Sequence, residues 1–292
     1  MWDRINKFIN SKTVLSVVVL SVLFIFLVTV IGILVLNMTP PLRLALFTFG
    51  QLMLSATVIW LMRKLEVFAI SDFSFKGITK DILLAWFGIV YLIVSFFMSF
   101  SQVPQNGFIE PNIPYLLIVI LHPLIGTAIF EEVLYRGLVL KLLLRKQSDS
   151  KNSIIKACII SSVIFGFLHI TNFYAGDSVM EVTTKIVTAT TAGLFFAAVF
   201  VRTRKLSLTI LFHGLLNLSS QIFNALVSPD ITVQSPEAKV EIANILGFII
   251  NILFVTLPIL IAALVLLRKV KPDETEENIT DQKKQIMTED SL

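Results

Sequence analysis

Phe130-Glu131-Glu132-Val133-Leu134-Tyr135-Arg136-Gly137 lies inside the run Tyr115 to Leu144, which is otherwise apolar enough to cross a membrane. Two carboxylates and a guanidinium stand there within six residues. Each costs about 2.5 to 3.5 kcal/mol at a bilayer centre, so three in one span call for burial, pairing and a use. Working outward, the 292 residues are 55% hydrophobic and only 15% charged, with a mean hydropathy of +0.85. A soluble chain carries roughly 25% charged residues, so this composition predicts a membrane protein and excludes an ordinary soluble domain. The net charge of +4 fits cationic loops at one membrane face. No basic run interleaved with aromatics points to nucleic acid.

Hydropathy predicts an all-α polytopic bundle of about eight spans: Thr13 to Leu36, Leu42 to Met62, Ile82 to Gln102, Tyr115 to Leu144, Ser153 to Ile170, Val182 to Val201, Leu206 to Val227 and Ile242 to Leu267. The first follows a short polar start without a small-residue cleavage site, and reads as a retained span. The expected organisation is an N-terminal region of three spans (1–114), a core (115–220), the end of the seventh span with an outer loop and the eighth span (221–270), and a disordered polar tail (271–292). Lys and Arg gather in alternate loops, with Arg63, Lys64, Lys76 and Lys80 in one, Arg145, Lys146 and Lys151 in another, and Arg202, Arg204 and Lys205 in a third. Val103 to Pro114 and Thr171 to Met180 have none, and Ser228 to Glu241 only Lys239, so both termini are expected to be cytoplasmic. Trp2, Trp60 and Trp86 fall at the same inner ends. Phe68, Phe73 and Phe75, scattered among charges, suit a segment in the headgroup region, and a solvated connector fits the same composition. Ala189, Gly193 and Ala197 recur at the spacing that lets membrane helices approach closely. The single Cys158 excludes an intrachain disulfide and a multi-thiolate metal site.

Residues four apart share a helix face, so Glu132 and Arg136 can pair, while Glu131 is turned about 100° away and can face a cavity. In Phe165-Gly-Phe-Leu-His169 the phenyl ring can wall the imidazole, and in His213-Gly-Leu-Leu-Asn217 imidazole and carboxamide point the same way. Each motif alone reads equally as hydrogen-bonding glue between helices. Together, two imidazoles, one unpaired carboxylate and one amide are the parts of a hydrolytic site: a base for water, a partner to orient it, and donors for an oxyanion. His122, beside Pro123, is explained by a kink or an interface. No His-Glu-x-x-His and no Gly-x-Ser-x-Gly occurs, and Ser162, seven residues from His169, lacks an activating context. Counted from the inner ends, Glu131 lies about 20 Å deep, His213 about 10 Å and His169 about 25 Å, so convergence demands tilt or displaced helix starts.

The ordered set Glu131-Glu132-x-x-x-Arg136, Phe165-x-x-x-His169 and His213-x-x-x-Asn217 resembles the CAAX protease and bacteriocin-processing family of intramembrane endopeptidases, to which type II prenyl-protein proteases belong. The resemblance covers about Tyr115 to Ser220. It implies Glu131 as general base, His169 as its partner in holding water, and His213 and Asn217 as oxyanion donors, with Glu132, Arg136 and Phe165 supporting them. In the metal version of the family's chemistry, zinc would sit on Glu131, His169 and His213. The implied partners are the lipid bilayer and a membrane-associated peptide or protein substrate, and the implied setting is a bacterial plasma membrane, with bacteriocin immunity among the family's roles. A non-catalytic membrane regulator or immunity protein acting by partner binding is the alternative. A transporter ranks behind both, because no inverted repeat or pair of broken helices is evident.

Overall fold

A computed structural model describes residues 2–101, 112–147, 150–225 and 245–271. The expected polar tail and the outer loops around 102–111 and 226–244 lie outside the described residues. Among the described residues there is no strand, and the bundle is all-α. After an amphipathic α1 (Trp2–Ser11), six helices are long and apolar enough to span a bilayer: α2 (Thr13–Val35), α3 (Pro40–Lys64), α6 (Ile113–Arg145), α7 (Lys151–Phe167, continued as a 3-10 turn to Ala175), α8 (Val179–Thr203) and α10 (Ile245–Arg268). The expected third span is instead a bent pair, α4 (Ile78–Leu84) and α5 (Phe87–Ser101), with a 73° break between them. The expected seventh span is α9 (Leu206–Gln221), only 16 residues, ending in a 3-10 turn at Ile222–Ala225. At 1.5 Å per residue it reaches about 24 Å, short of the hydrocarbon thickness.

Local chemistry sets several helix starts. The Asn112 side chain accepts from the Tyr115 amide at 3.1 Å to begin α6, and Ser150 caps α7 by accepting from Ser153 at 3.2 Å. Ser178 and Glu181 form a reciprocal capping box at the start of α8. Arg204, left-handed at φ 55°, ends α8 and lets the chain reverse into α9 within two residues.

α8 is the centre of the bundle. Its apolar stretch is 56% buried, against 17% for α2 at the periphery. The outer surfaces carry Phe26, Leu34, Phe97 and Phe254, all exposed, as lipid-facing side chains are. Two glycines set the closest crossings. A Cβ on Gly166 of α7 would lie 1.9 Å from the Thr190 hydroxyl and 2.8 Å from the Ile186 carbonyl of α8, and one on Gly214 of α9 would lie 3.1 Å from Leu124 Cα of α6. Of the expected small-residue stripe, Gly193 sits at the α7–α8 crossing, 3.0 Å in the same sense from the Phe165 ring.

The basic ends of the helices are knit together by the segment after α3. Val67, Phe68, Ala69 and Asp72 are buried, so this segment is a packed floor and not a solvated connector. Lys141 of α6 donates to the Val67 carbonyl at 2.9 Å and pairs with Asp72, Arg145 donates to the Leu65 carbonyl at 2.7 Å, and Ser207 of α9 donates to the Ser74 carbonyl at 2.7 Å. Burial pushes the Asp72 carboxyl above its ordinary value, and the Lys141 ammonium opposes the rise.

Candidate active site

α6 is not a uniform α-helix. His122–Thr127 and Val133–Leu140 are π-helical, and the short α-helical stretch Ala128–Glu132 between them carries both carboxylates. Inserted π turns rotate the faces of a helix against one another, and they recur at functional sites. The expected i,i+4 pair forms: Arg136 Nη1 donates to Glu132 Oε1 at 2.7 Å, with both side chains fully enclosed. Arg136 Nη2 donates to the Gly193 carbonyl at 3.0 Å, and the guanidinium lies 4.9 Å from the Phe165 ring and 5.3 Å from that of Phe196. Glu132 therefore meets a cation that also reaches one carbonyl and two aromatic rings, with Nε of Arg136 left without a hydrogen-bond partner among the described residues.

His213 carries the arrangement into the cavity. Its Nδ1 donates to the same Glu132 oxygen at 2.7 Å, and its Nε2 stands 3.4 Å from Glu131 Oε2. Phe196 stacks on the imidazole at 5.2 Å and 19°, and Phe165 meets it edge-on at 6.0 Å. Beyond its pairing with Arg136, the Glu132 carboxylate fixes the ring and tautomer of His213. Phe196 escaped the sequence reading altogether, since an aromatic in an apolar helix gives no signal. The close α9–α6 crossing at Gly214, the next residue, brings His213 this near to α6.

The expected mismatch in depth also finds its cause. Lys141 is level with the packed floor, so the effective depth of Glu132 is about nine residues, or 13 Å, and α9 starts at the same floor, with Ser207 bonded to Ser74 and His213 about 10 Å from Leu206. His169, in the 3-10 turn after α7, donates Nδ1–H to the Phe165 carbonyl at 3.1 Å, which leaves Nε2 as an acceptor. Phe165 stands edge-on to it at 5.2 Å, walling it as expected.

Glu131, His169, His213 and Asn217 all line one cavity of about 450 Å³, with Phe165, Phe196, Thr127 and Tyr91 among its other walls. Glu131 is 19% exposed there, while Glu132 is at 0%. Ser162 is elsewhere, its hydroxyl spent on the Cys158 carbonyl at 2.6 Å. His122 is buried rather than interfacial, bonded to Thr48 at 2.9 Å. Among the described residues, no three His, Cys, Asp or Glu side chains come together as a metal-binding group. His213 and His169 each give Nδ1–H to another acceptor, Glu132 and the Phe165 carbonyl, so Nε2 is the nitrogen each ring keeps for the cavity.

Residues 112–219 match the family model described as type II CAAX prenyl endopeptidase Rce1-like. No curated protein and no solved structure matches the chain. The matched segment contains Glu131, Glu132, Arg136, Phe165, His169, His213 and Asn217, and over these residues the chain is similar to the type II CAAX prenyl endopeptidases.

Proposed function

We propose that the chain is an intramembrane endopeptidase that hydrolyses a peptide bond in a membrane-associated peptide or protein with water activated by Glu131. The observation that carries the reading is His213, held at Nδ1 by buried Glu132 and standing with Nε2 3.4 Å from Glu131, in a cavity shared with His169 and Asn217. Water between the Glu131 carboxylate and His169 Nε2 gives a proton to Glu131 as its oxygen attacks the carbonyl carbon. The carbonyl oxygen gains the negative charge and is met by His213 Nε2–H and the Asn217 carboxamide. Both ring N–H groups of His213 then act as donors, Nδ1–H to Glu132 and Nε2–H to the oxyanion, while Arg136 pairs with Glu132. Glu131 then returns its proton to the leaving amine as the C–N bond breaks, so the carboxylate is regenerated.

The reaction runs through side chains alone, and activity is expected to survive chelation. Purified protein in lipid vesicles, given a library of membrane peptides with and without chelator, is expected to yield defined cleavage products by mass spectrometry in both arms. No cleavage in either arm would overturn the reading. Products that vanish with chelator, together with one zinc per chain, would overturn the metal-free order of steps. The gathering of Lys and Arg in alternate loops supports both termini lying at the cytoplasmic face, and a plasma membrane is the setting proposed with it.

A further inference from the structure

The cavity is built from one half of the bundle. α7 contributes its last turn and the residues beyond, to Asn172. α8 contributes Lys185 and Thr188, in its first turns, down to Phe196, and α9 contributes its second half, from His213 to Gln221. Each of these stretches lies away from the end where α7 starts, α8 stops and α9 starts. That other end carries Lys151, Arg202, Arg204 and Lys205, tied to the floor and to the end of α10: Lys205 pairs with Asp81, and Arg202 donates to the Lys269 carbonyl. Between the cavity and this basic end the packing is closed. Arg136, Leu138, Leu140, Phe200 and Leu208 are each at most 1% exposed. From Arg136 to Leu144 this seal is about 12 Å deep.

Toward the opposite end the walls turn polar, with Asn172, Lys185, Ser220 and Gln221. Lys185 is half exposed and bonded to Asp177 at 2.6 Å, and the ammonium holds that carboxyl below its ordinary range. Lys185 lies six residues inside the start of α8, about 9 Å below it, at the level of lipid headgroups and upper acyl chains.

We propose that the cavity is entered from the membrane face opposite the basic end, which is the non-cytoplasmic face, so that the substrate is a peptide or polypeptide segment presented on that side. The substrate class rests on the endopeptidase reading, and the face rests on the closed packing below Glu132 and on the distribution of cations.

The test uses the full chain in cell membranes. Cys158 is the one native thiol and is fully buried, so the wild type supplies an unlabelled background for a membrane-impermeant maleimide. Lys185→Cys and Asn172→Cys are expected to be labelled in right-side-out vesicles and not in inverted ones. Lys80→Cys, exposed on α4 at the basic end, is expected to show the reverse. Labelling of both cavity variants from the same face as Lys80→Cys, or from neither face while Lys80→Cys reacts, would overturn the proposal. Hydrolysis by detergent-solubilised wild type, to which both faces are open, reports on the endopeptidase reading alone. An inactive solubilised enzyme with the expected labelling would sink that reading and leave the direction of entry standing.

Discussion

Glu131 and Glu132 are adjacent, chemically identical and differently employed, and the difference lies in what surrounds each. Glu132 is sealed between Arg136 and His213, whereas Glu131 reaches the cavity. Removing one member of a buried ion pair leaves an uncompensated charge and costs about 3–5 kcal/mol. Glu132→Ala and Arg136→Ala are therefore expected to lower the thermal unfolding midpoint sharply, and Arg136→Lys should rescue only part, since an ammonium cannot serve Glu132, the Gly193 carbonyl and two ring faces together. An Arg136→Ala protein as stable as wild type would contradict this division. The pairing was legible from an i,i+4 spacing, as was the free carboxylate. The bond from His213 to Glu132 was not, because no spacing relates residues 81 positions apart.

At the scale of elements, the site depends on how closely helices cross. Any side chain at Gly166 meets the Ile186 backbone, which cannot step aside as a flexible side chain can. Gly166→Ala is expected to cost about 1–3 kcal/mol by overpacking and to separate α7 from α8, lowering activity along with stability. Gly214→Leu, pressed against Leu124 Cα, is expected to push His213 away from Glu131 and abolish cleavage. Unchanged activity in a Gly214→Leu enzyme would show that the crossing does not position the imidazole. Hydropathy located these helices well, because a run of apolar residues is all that membrane insertion requires. It overran α9, where apolar residues continue past Gln221 into a 3-10 turn, and it could not register the π turns of α6, since side-chain polarity is blind to whether a carbonyl bonds four or five residues ahead. The break at Ala85 and Trp86 was hidden for the same reason.

For the molecule as a whole, the packed floor at the basic end sets the depth of the helices that line the cavity. Lys141 and Asp72 join α6 to it, both buried. Asp72→Asn is expected to destabilise the fold by about 3–5 kcal/mol, while Asp72→Leu with Lys141→Met should recover much of the loss, because a buried pair replaced by apolar groups leaves no stranded charge. Equal stability of the single and double variants would remove the floor from the account. The floor was half legible: scattered phenylalanines suited a headgroup segment as well as a solvated connector, and its hydrogen bonds to α6 and α9 join residues some 70 to 130 positions apart. The central claim is that Glu131 activates the attacking water, and the most direct measurement is the turnover of wild type and Glu131→Gln on one cleaved peptide, in the same vesicles, with unfolding midpoints recorded alongside. The account predicts a loss of about 10²- to 10⁴-fold at an unchanged midpoint, the usual contribution of a general base. Turnover equal to wild type in the Gln variant would contradict it.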